Sequence, residues 1–361
     1  MQIPIIHVGC GVFSMQRLEI LAKGNFFKPI ACVDINVHKA KTIIEANKNK
    51  LIKNLKDNIY SSISKAKQIH DAKACFIFVS SKVHSKLIAE SLKLGMHTYC
   101  VKSIACNEEE FQEIISAHKE NPDLVLIQGF NNQWNEAAKK MRDLMRDENK
   151  NGIGKMLGGE CVCWGRQNLK NDPPVEDVTI EGMFFYSLAC HQLSQLVAAK
   201  GLPEYVTAYV HQRIDEELDY TDVFGTTGGQ CIFEYADGTP FSYTGTRAAH
   251  GNIFGFASRW SGQWIVHGEK ADLRRQGGRI SLYKNGAMVN DLYLKDLDQN
   301  LIEDERIQFH EFYLAITDGK NKKWLQQSSL DTWLLMEACN QSARLKKKVS
   351  VKSLKEKFFT N

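Results

Sequence analysis

Short apolar runs alternate with helix-like patterns along the first third of the chain. The apolar runs cover residues 3–8, 30–33, 74–79, 97–101 and 124–127. Residues 83–94 repeat apolar positions at helical spacing, and Gly95 follows as a stop signal. Asn107 is predicted to cap the next helix, because the glutamates after it would lie at the positive end of the helix dipole. Strands that alternate with helices predict a parallel sheet with helical crossovers.

The pattern changes after about residue 128, where longer strand-like runs are joined by hairpin signals. Asp237-Gly238 and Asn285-Gly286 each lie between two such runs. The predicted strands are 155–164, 205–212, 229–235, 241–247, 263–268, 279–283 and 287–294. The predicted helices are 183–200, 303–318 and 328–347, the last opening with a capping-box-like Ser328 and Asp331. This order of strands, hairpin turns and helices predicts an α+β domain with a large open, mainly antiparallel sheet.

Length and composition limit the class of protein. The 361 residues fit two domains at roughly 150 residues each, and we expect residues 1–128 and 129–361 to form them. No repeat or low-complexity linker separates the halves, so we expect them to pack directly with a cleft between them. With 43% hydrophobic and 24% charged residues, the composition excludes global disorder and coiled coil. The net charge of +4 does not favour nucleic acid as a partner.

Membrane and metal signals are not found in the sequence. No apolar run approaches the ~20 residues needed to cross a bilayer, and the N-terminus has no signal-peptide pattern. We therefore expect a cytoplasmic protein without a membrane partner. The ten cysteines are scattered, mostly within apolar runs where a reduced thiol behaves as a small hydrophobic group. Cys161 and Cys163 have no second Cys/His pair at zinc spacing, so no metal site is predicted.

A glycine-rich turn follows the first predicted strand and opens a helix. Gly9 and Gly11 belong to this turn, and Val12 and Phe13 begin the helix. A dinucleotide pyrophosphate binds at such a turn, because backbone N–H groups and the positive end of the helix dipole face it. Ser14 takes the place of the third glycine of the usual pattern, and GxG alone is a weak signal. An ordinary tight turn is the alternative.

Asp34 strengthens the dinucleotide interpretation. It ends the second predicted strand, 25 residues beyond Gly9, and Ile35 follows it. A carboxylate at this place can accept the ribose hydroxyls of an adenosine and would repel a 2′-phosphate. The sequence therefore favours NAD. NADP stays open, because Asn36, His38 and Lys39 could supply phosphate contacts.

Polar residues follow two further strands of the predicted parallel sheet. Ser80, Ser81 and His84 come after the strand that starts at Ala74, and Lys102 ends the strand that starts at His97. Ligands bind outside the carboxyl ends of parallel strands, so we expect these residues at the cofactor. Lys102 could also donate to a substrate oxygen, although a surface lysine is the alternative.

One predicted helix of the second domain carries a candidate acid–base residue. Ser187 and His191 are four residues apart and share a helix face, and Tyr186 is adjacent. An imidazole with an ordinary pKa near 6.5 suits proton exchange with an alcohol. A histidine packed in the core is the alternative.

The order of these motifs resembles the glucose-fructose oxidoreductase, inositol dehydrogenase and rhizopine catabolism (Gfo/Idh/MocA) family. The resemblance runs along most of the chain, through the GxG turn, Asp34, the Ser80 to His84 spacing, and residues 95–103, 129–131, 152–155, 181–191, 312–319 and 338–349. It implies an N-terminal Rossmann domain, a C-terminal open-sheet domain, and hydride exchange with NAD at a ring carbon of a sugar or cyclitol.

The resemblance also assigns roles to individual residues. Lys102 matches the lysine of the family's Glu-Lys-Pro motif, and His191 the histidine of its Asp-x-x-x-His motif. Val101 and Ser103 replace the glutamate and proline, and Ser187 replaces the aspartate. These departures weaken the expected proton relay, because serine does not supply the charge of a carboxylate.

The resemblance further implies that the strand after the Gly-Ile-Gly turn and the loop beyond it line the substrate pocket, and two asparagines are additional candidates. The predicted substrate-binding residues are Asn131 (with Asn132), Trp164, Arg166, Gln167 and Tyr186.

Three functions remain open on the sequence. The leading one is an NAD-dependent dehydrogenase or ketoreductase of a sugar, sugar derivative or cyclitol. A glycosidase-type enzyme would keep the cofactor bound and oxidise its substrate transiently. A regulatory NAD(P)-binding subunit would have lost catalysis. An open sheet with one exposed face commonly finds a partner, so a homodimer or homotetramer through the C-terminal sheet is also expected.

Overall fold

The computed structural model describes residues 2–51, 55–146, 151–165, 182–211, 227–249, 262–294 and 301–360. The chain divides into two compact units. The first contains Met1–Gly129 and Glu305–Gln327, and the second contains Phe130–Asp304 and Ser328–Asn361.

The first unit has, within its described residues, a six-stranded parallel sheet. Its strands are β1 (Ile3–Val8), β2 (Phe27–Val33), β3 (Ile59–Tyr60), β4 (Ala74–Ile77), β5 (His97–Val101) and β6 (Leu126–Gly129). They lie in the order β3-β2-β1-β4-β5-β6. The connecting helices are α1 (Val12–Lys23), α2 (Val37–Ala46), α3 (Ile63–Ile69), α4 (His84–Lys93) and α5 (Glu108–Glu120). The predicted Rossmann architecture is confirmed.

The second unit has a nine-stranded sheet in the part of the chain that the structure describes. Its strands are β7 (Met156–Trp164), β8 (Tyr205–His211), β9 (Gly228–Glu234), β10 (Pro240–Thr246), β11 (Gln263–Gly268), β12 (Asp272–Gln276), β13 (Arg279–Lys284), β14 (Ala287–Tyr293) and β15 (Val349–Ser350). The order is β14-β13-β12-β11-β7-β10-β9-β8-β15, and only the β7–β10 pair of this described sheet is parallel. The predicted open, mainly antiparallel sheet is confirmed.

The remaining helices follow the same chain order. They are α6 (Glu136–Met145), α7 (Cys190–Lys200), α8 (Leu301–Thr317), α9 (Lys322–Leu345) and α10 (Val351–Phe359). Helix α9 begins before the predicted start at Ser328. The carbonyl of Ser328 accepts the Thr332 hydroxyl at 2.7 Å, as in a helix interior, so the capping-box interpretation is wrong.

Most of helix α8 belongs to the first unit, where its aromatic side chains cover the parallel sheet. Phe312 packs against Phe27 and Phe76, and Phe309 against Phe76 and Tyr99, with ring centroids 5.2–5.7 Å apart. The predicted division placed all residues after 128 in the second domain. This aromatic packing explains why residues 305–327 join the first unit instead.

Side chains of the second sheet alternate between buried and exposed. Cys231 and Phe233 of β9 are buried, whereas Ile232 between them is 52% exposed. Strand β12 was not predicted, because its sequence is largely polar, yet Leu273 and Arg275 occupy its two buried positions. No helix among the described residues has the length and apolar character needed to span a membrane.

Candidate functional site

The glycine turn between β1 and α1 has a backbone that requires glycine at its first position. Gly9 has φ +97°, and a Cβ there would lie 2.3 Å from the carbonyl oxygen of Phe78. Its N–H donates to the Val33 carbonyl at 2.8 Å. The turn therefore lies close against the ends of β2 and β4, which leaves no space for a side chain.

Asp34 is held against this turn by backbone hydrogen bonds. The Cys10 N–H donates to its Oδ2 at 2.9 Å, and the Asn36 N–H donates to its Oδ1 at 2.8 Å. Each carboxylate oxygen can accept a further hydrogen bond. The half-buried carboxylate is thus oriented before any ligand binds, as recognition of two ribose hydroxyls requires.

The surface around the turn is open and partly apolar. Val12 and Ile35 are 83% and 96% exposed. Helix α1 has no acidic residue in its first turn, and Gly11 caps it without a side chain. The first N–H groups of a helix have no acceptor within the helix, so they are available to an anion. A cofactor with a diphosphate and a flat aromatic base matches these features.

His84 differs from its predicted role in direct cofactor contact. The ring is fully buried, with Nδ1 2.6 Å from the Ser103 carbonyl oxygen and Nε2 3.0 Å from the Val79 carbonyl oxygen. It therefore links the segments that follow β4 and β5. Ser81 is also buried, whereas Ser80 is exposed.

Lys102 directly follows β5 and is half-buried. The carbonyl oxygen of the next residue, Ser103, lies within hydrogen-bond distance of the His84 ring. The Ser103 hydroxyl donates a hydrogen bond to the Ala105 carbonyl at 2.8 Å. The residue that follows Lys102 is therefore held by an imidazole at its carbonyl and by a short loop contact of its hydroxyl. This anchoring limits where the lysine side chain can reach.

The helix that carries Ser187 and His191 contains a π-helical segment. Gly182, with φ +73°, precedes it, and a Cβ there would lie 2.5 Å from the Asn340 side chain. Residues Phe185–Ala189 are π-helical and continue into α7. Such segments are frequent at functional sites. Ser187 and His191 are 4% and 6% exposed.

Two buried arginines support this helix, and the sequence analysis did not single out either. Arg247, which follows β10, donates from Nη2 to the Ser187 hydroxyl. Arg275 donates to Gln195 Oε1 at 2.6 Å, and the Gln195 amide donates to the His191 carbonyl at 2.8 Å. The position that the resemblance gives to an aspartate is therefore occupied by a serine whose hydroxyl bonds to a cation.

The predicted substrate residues have different surroundings. Tyr186 is 1% exposed and its hydroxyl donates to Glu337, so the structure places it in the core rather than on a substrate surface. Trp164, the last residue of β7, is half-buried and pairs with Thr246. Asn131 is half-buried in a 3₁₀ turn, and Asn132 is buried. Arg166 and Gln167 lie outside the described residues.

The structure thus places the predicted residues in two groups, one in each unit. The cofactor candidates and Lys102 belong to the first unit, and Ser187, His191 and Trp164 belong to the second. A shared role for Lys102 and His191 stays a prediction. Little in the sequence indicated that the two arginines support the helix. Arg275 takes an inward position of a strand that was not predicted, and Arg247 ended a predicted strand with no partner apparent in the sequence.

Comparison with known proteins identifies the class of the first unit. Residues 3–129 match the Gfo/Idh/MocA family, described as an oxidoreductase family with an NAD-binding Rossmann fold. The resemblance drawn from the sequence is confirmed, and so is the NAD-binding class of this unit. A myo-inositol 2-dehydrogenase of Thermotoga maritima is 24% identical over 146 residues, which cover 40% of this chain and 41% of that protein.

Solved structures resemble the chain over nearly its whole length. An Agrobacterium radiobacter oxidoreductase in complex with NAD+, L-tartaric acid and magnesium has a TM-score of 0.80 at 15% identity, covering 98% of this chain and 100% of that one. A Corynebacterium glutamicum myo-inositol dehydrogenase has a TM-score of 0.71 at 16% identity, covering 97% and 99%. At these identities the similarity shows the fold.

Proposed function

We propose that the chain is an NAD-dependent oxidoreductase that acts on a ring hydroxyl or keto group of a sugar, sugar derivative or cyclitol. The observation that carries the proposal is the Asp34 carboxylate, which the Cys10 and Asn36 N–H groups hold at a turn that requires glycine at its first position. The inositol dehydrogenase relative and the NAD+ complex of a structural neighbour support the choice of reaction and cofactor.

The residues around the turn fit NAD. A Cβ at Gly9 would fill the close approach to Phe78, and the exposed start of α1 offers N–H groups to a diphosphate. Asp34 would accept the adenosine ribose hydroxyls, and its negative charge would oppose a 2′-phosphate. We therefore propose a preference for NAD over NADP. When bound, the nicotinamide supplies the hydride acceptor or donor.

In this proposal Lys102 and His191 carry out the acid–base chemistry. Lys102 donates a hydrogen bond to the reacting oxygen, and His191 takes the hydroxyl proton during oxidation or returns it during reduction. Ser187 positions the turn before His191 through its bond with Arg247. Neither Ser187 nor Arg247 supplies the negative charge that a carboxylate would place beside the imidazole.

The proposal is tested first by cofactor binding and then by turnover. Calorimetry should show NAD+ binding more tightly than NADP+, and thermal denaturation should shift upward with NAD+. Lys102→Ala and His191→Ala should each lower turnover of a cyclitol or sugar by ~10²-fold while NAD+ affinity stays nearly unchanged. Lys93→Ala and His267→Ala, at exposed positions of the same two units, are the matched controls.

A non-catalytic NAD-binding subunit is the second candidate, favoured by the Ser187–Arg247 contact in place of a carboxylate. It predicts cofactor binding without turnover of any substrate in a broad panel. A glycosidase-type reaction predicts product formation without net reduction of NAD+. The two alternatives are therefore separated from the main proposal by measuring product and NADH together.

Self-association through the open face of the second sheet is also proposed. Strand register places Ile232 in one row with Thr207 and Ser242, and Tyr209 and Ile265 are exposed on the same face. An apolar set of this kind suits a homodimer or homotetramer. Ile232→Lys should lower the mass measured by light scattering, whereas Ile69→Lys, an exposed position of the first unit, should not.

A further inference from the structure

A buried hydrogen-bond chain lies beneath the glycine turn and involves two residues without an assigned role. The Ser14 hydroxyl donates to the Gly9 carbonyl at 2.5 Å. The His7 Nε2 lies 2.7 Å from the same hydroxyl oxygen. Both side chains are at most 1% exposed.

The direction of each bond in this chain follows from the groups present. A carbonyl can only accept, so the Ser14 proton is directed to Gly9, and the Ser14 oxygen must then accept from His7. The proton of the imidazole is therefore on Nε2. Its Nδ1 has no hydrogen-bond partner among the described residues, which agrees with this tautomer. Burial lowers the pKa of His7 to about 3, so the ring is neutral near pH 7.

The hydrogen bonds of His7 and Ser14 complete the fixation of the glycine turn. The N–H of Gly9 is bound by Val33 and the N–H of Cys10 by Asp34, so Ser14 holds the remaining carbonyl between them. Rotation of the Gly9–Cys10 peptide would break the bonds to Asp34 and Ser14 together. The turn is thereby prepared for a diphosphate before the ligand arrives.

We propose that His7 and Ser14 are positioning residues for NAD(H), and that their hydrogen-bond chain fixes the glycine turn in the conformation that binds the diphosphate. The inference rests on the proposed binding of NAD(H). Neither side chain touches the cofactor. His7 acts through Ser14, and Ser14 acts through the Gly9 carbonyl.

Four variants test the His7–Ser14 hydrogen-bond chain by calorimetric titration of the full-length protein with NAD+. Ser14→Ala and His7→Phe should each raise the Kd about 10-fold, since one hydrogen bond of the prepared turn is lost. His7→Phe keeps a ring next to Phe78, whose centroid lies 5.0 Å from that of His7. His7→Gln should stay within about threefold of the unaltered protein, because its amide can donate from a place close to Nε2. The double variant His7→Phe/Ser14→Ala should bind no more weakly than Ser14→Ala alone.

A matched control separates positioning from stability. Ser91 is a buried serine of α4 in the same unit, and its hydroxyl bonds to that of Thr98 at 2.8 Å. Ser91→Ala should lower the melting temperature without changing the Kd for NAD+. If His7→Phe does not fold, His7→Asn replaces it, because the shorter amide does not reach Ser14.

Each result decides between two claims. Variants of His7 and Ser14 that melt early but keep the unaltered Kd, as Ser91→Ala should, would overturn the positioning role and leave the proposed function intact. An equal loss of affinity in His7→Gln and His7→Phe would also overturn it. Failure of the unaltered protein to bind NAD+ would overturn the proposed function and this inference together.

Discussion

The buried neutral imidazole of His7 predicts a specific loss of stability in mild acid. Burial lowers its pKa from 6.5 to about 3 in the folded protein. Between these values the unfolded chain binds a proton that the folded chain does not, so the free energy of unfolding falls as the pH falls. The replacement His7→Gln removes this titration and retains a donor to Ser14.

The size of the effect follows from the difference in pKa. At about 1.4 kcal/mol per pH unit, lowering the pH from 7 to 5 should cost about 2 kcal/mol through His7, and the full difference approaches about 5 kcal/mol near pH 3. His7 is fully buried, so solvent screening does not reduce these values. Burial also lowers the pKa values of His97 and His118, but the unaltered protein and His7→Gln both retain these two histidines, so their effect cancels in the comparison.

Chemical denaturation of both proteins at pH 7 and pH 5 measures this difference. Between the two pH values, the unaltered protein should lose about 2 kcal/mol more unfolding free energy than His7→Gln does. Equal losses would show that His7 is hydrated or protonated in the folded state. The neutral donor tautomer, and with it the described hydrogen-bond chain, would then be wrong.

Substitutions at three positions probe the two units. Asp34→Ala should weaken NAD+ binding by about 1–3 kcal/mol and bring it close to NADP+ binding in calorimetry, since a charged acceptor is lost. Gly9→Ala should lower the unfolding free energy by about 2 kcal/mol or more, because alanine at φ +97° also meets the Phe78 carbonyl; an unchanged denaturation midpoint would contradict this. Ser187→Asp should melt no earlier than the unaltered protein, because Arg247 can pair with the new carboxylate, whereas Ser187→Ala should lose about 1–3 kcal/mol.

The parallel sheet and its cofactor turn were accessible to sequence reasoning because their signals are local. The apolar run of β1, Gly9 and Asp34 follow one another in a fixed order, and backbone geometry alone gives that order its meaning. The end of β5 was equally clear, which placed Lys102 at the carboxyl edge of the sheet.

Contacts between distant parts of the chain were not accessible in this way. The assignment of α8 to the first unit depends on Phe309 and Phe312 meeting aromatic rings more than two hundred residues earlier in the chain. The partner of Ser187 is an arginine 60 residues later, and burial of Arg275 runs against the ordinary preference of charged residues for the surface. Periodicity does not report such pairings.

Transfer of deuterium to NAD+ tests the central claim most directly. The protein is incubated with NAD+ and a panel of cyclitols and sugars that carry deuterium on their ring carbons, and the cofactor is then analysed by mass spectrometry. The account predicts deuterated NADH with at least one member of the panel, and a rate ~10²-fold lower in Lys102→Ala. Binding of NAD+ without deuterium transfer from any member, in the unaltered protein, would contradict it.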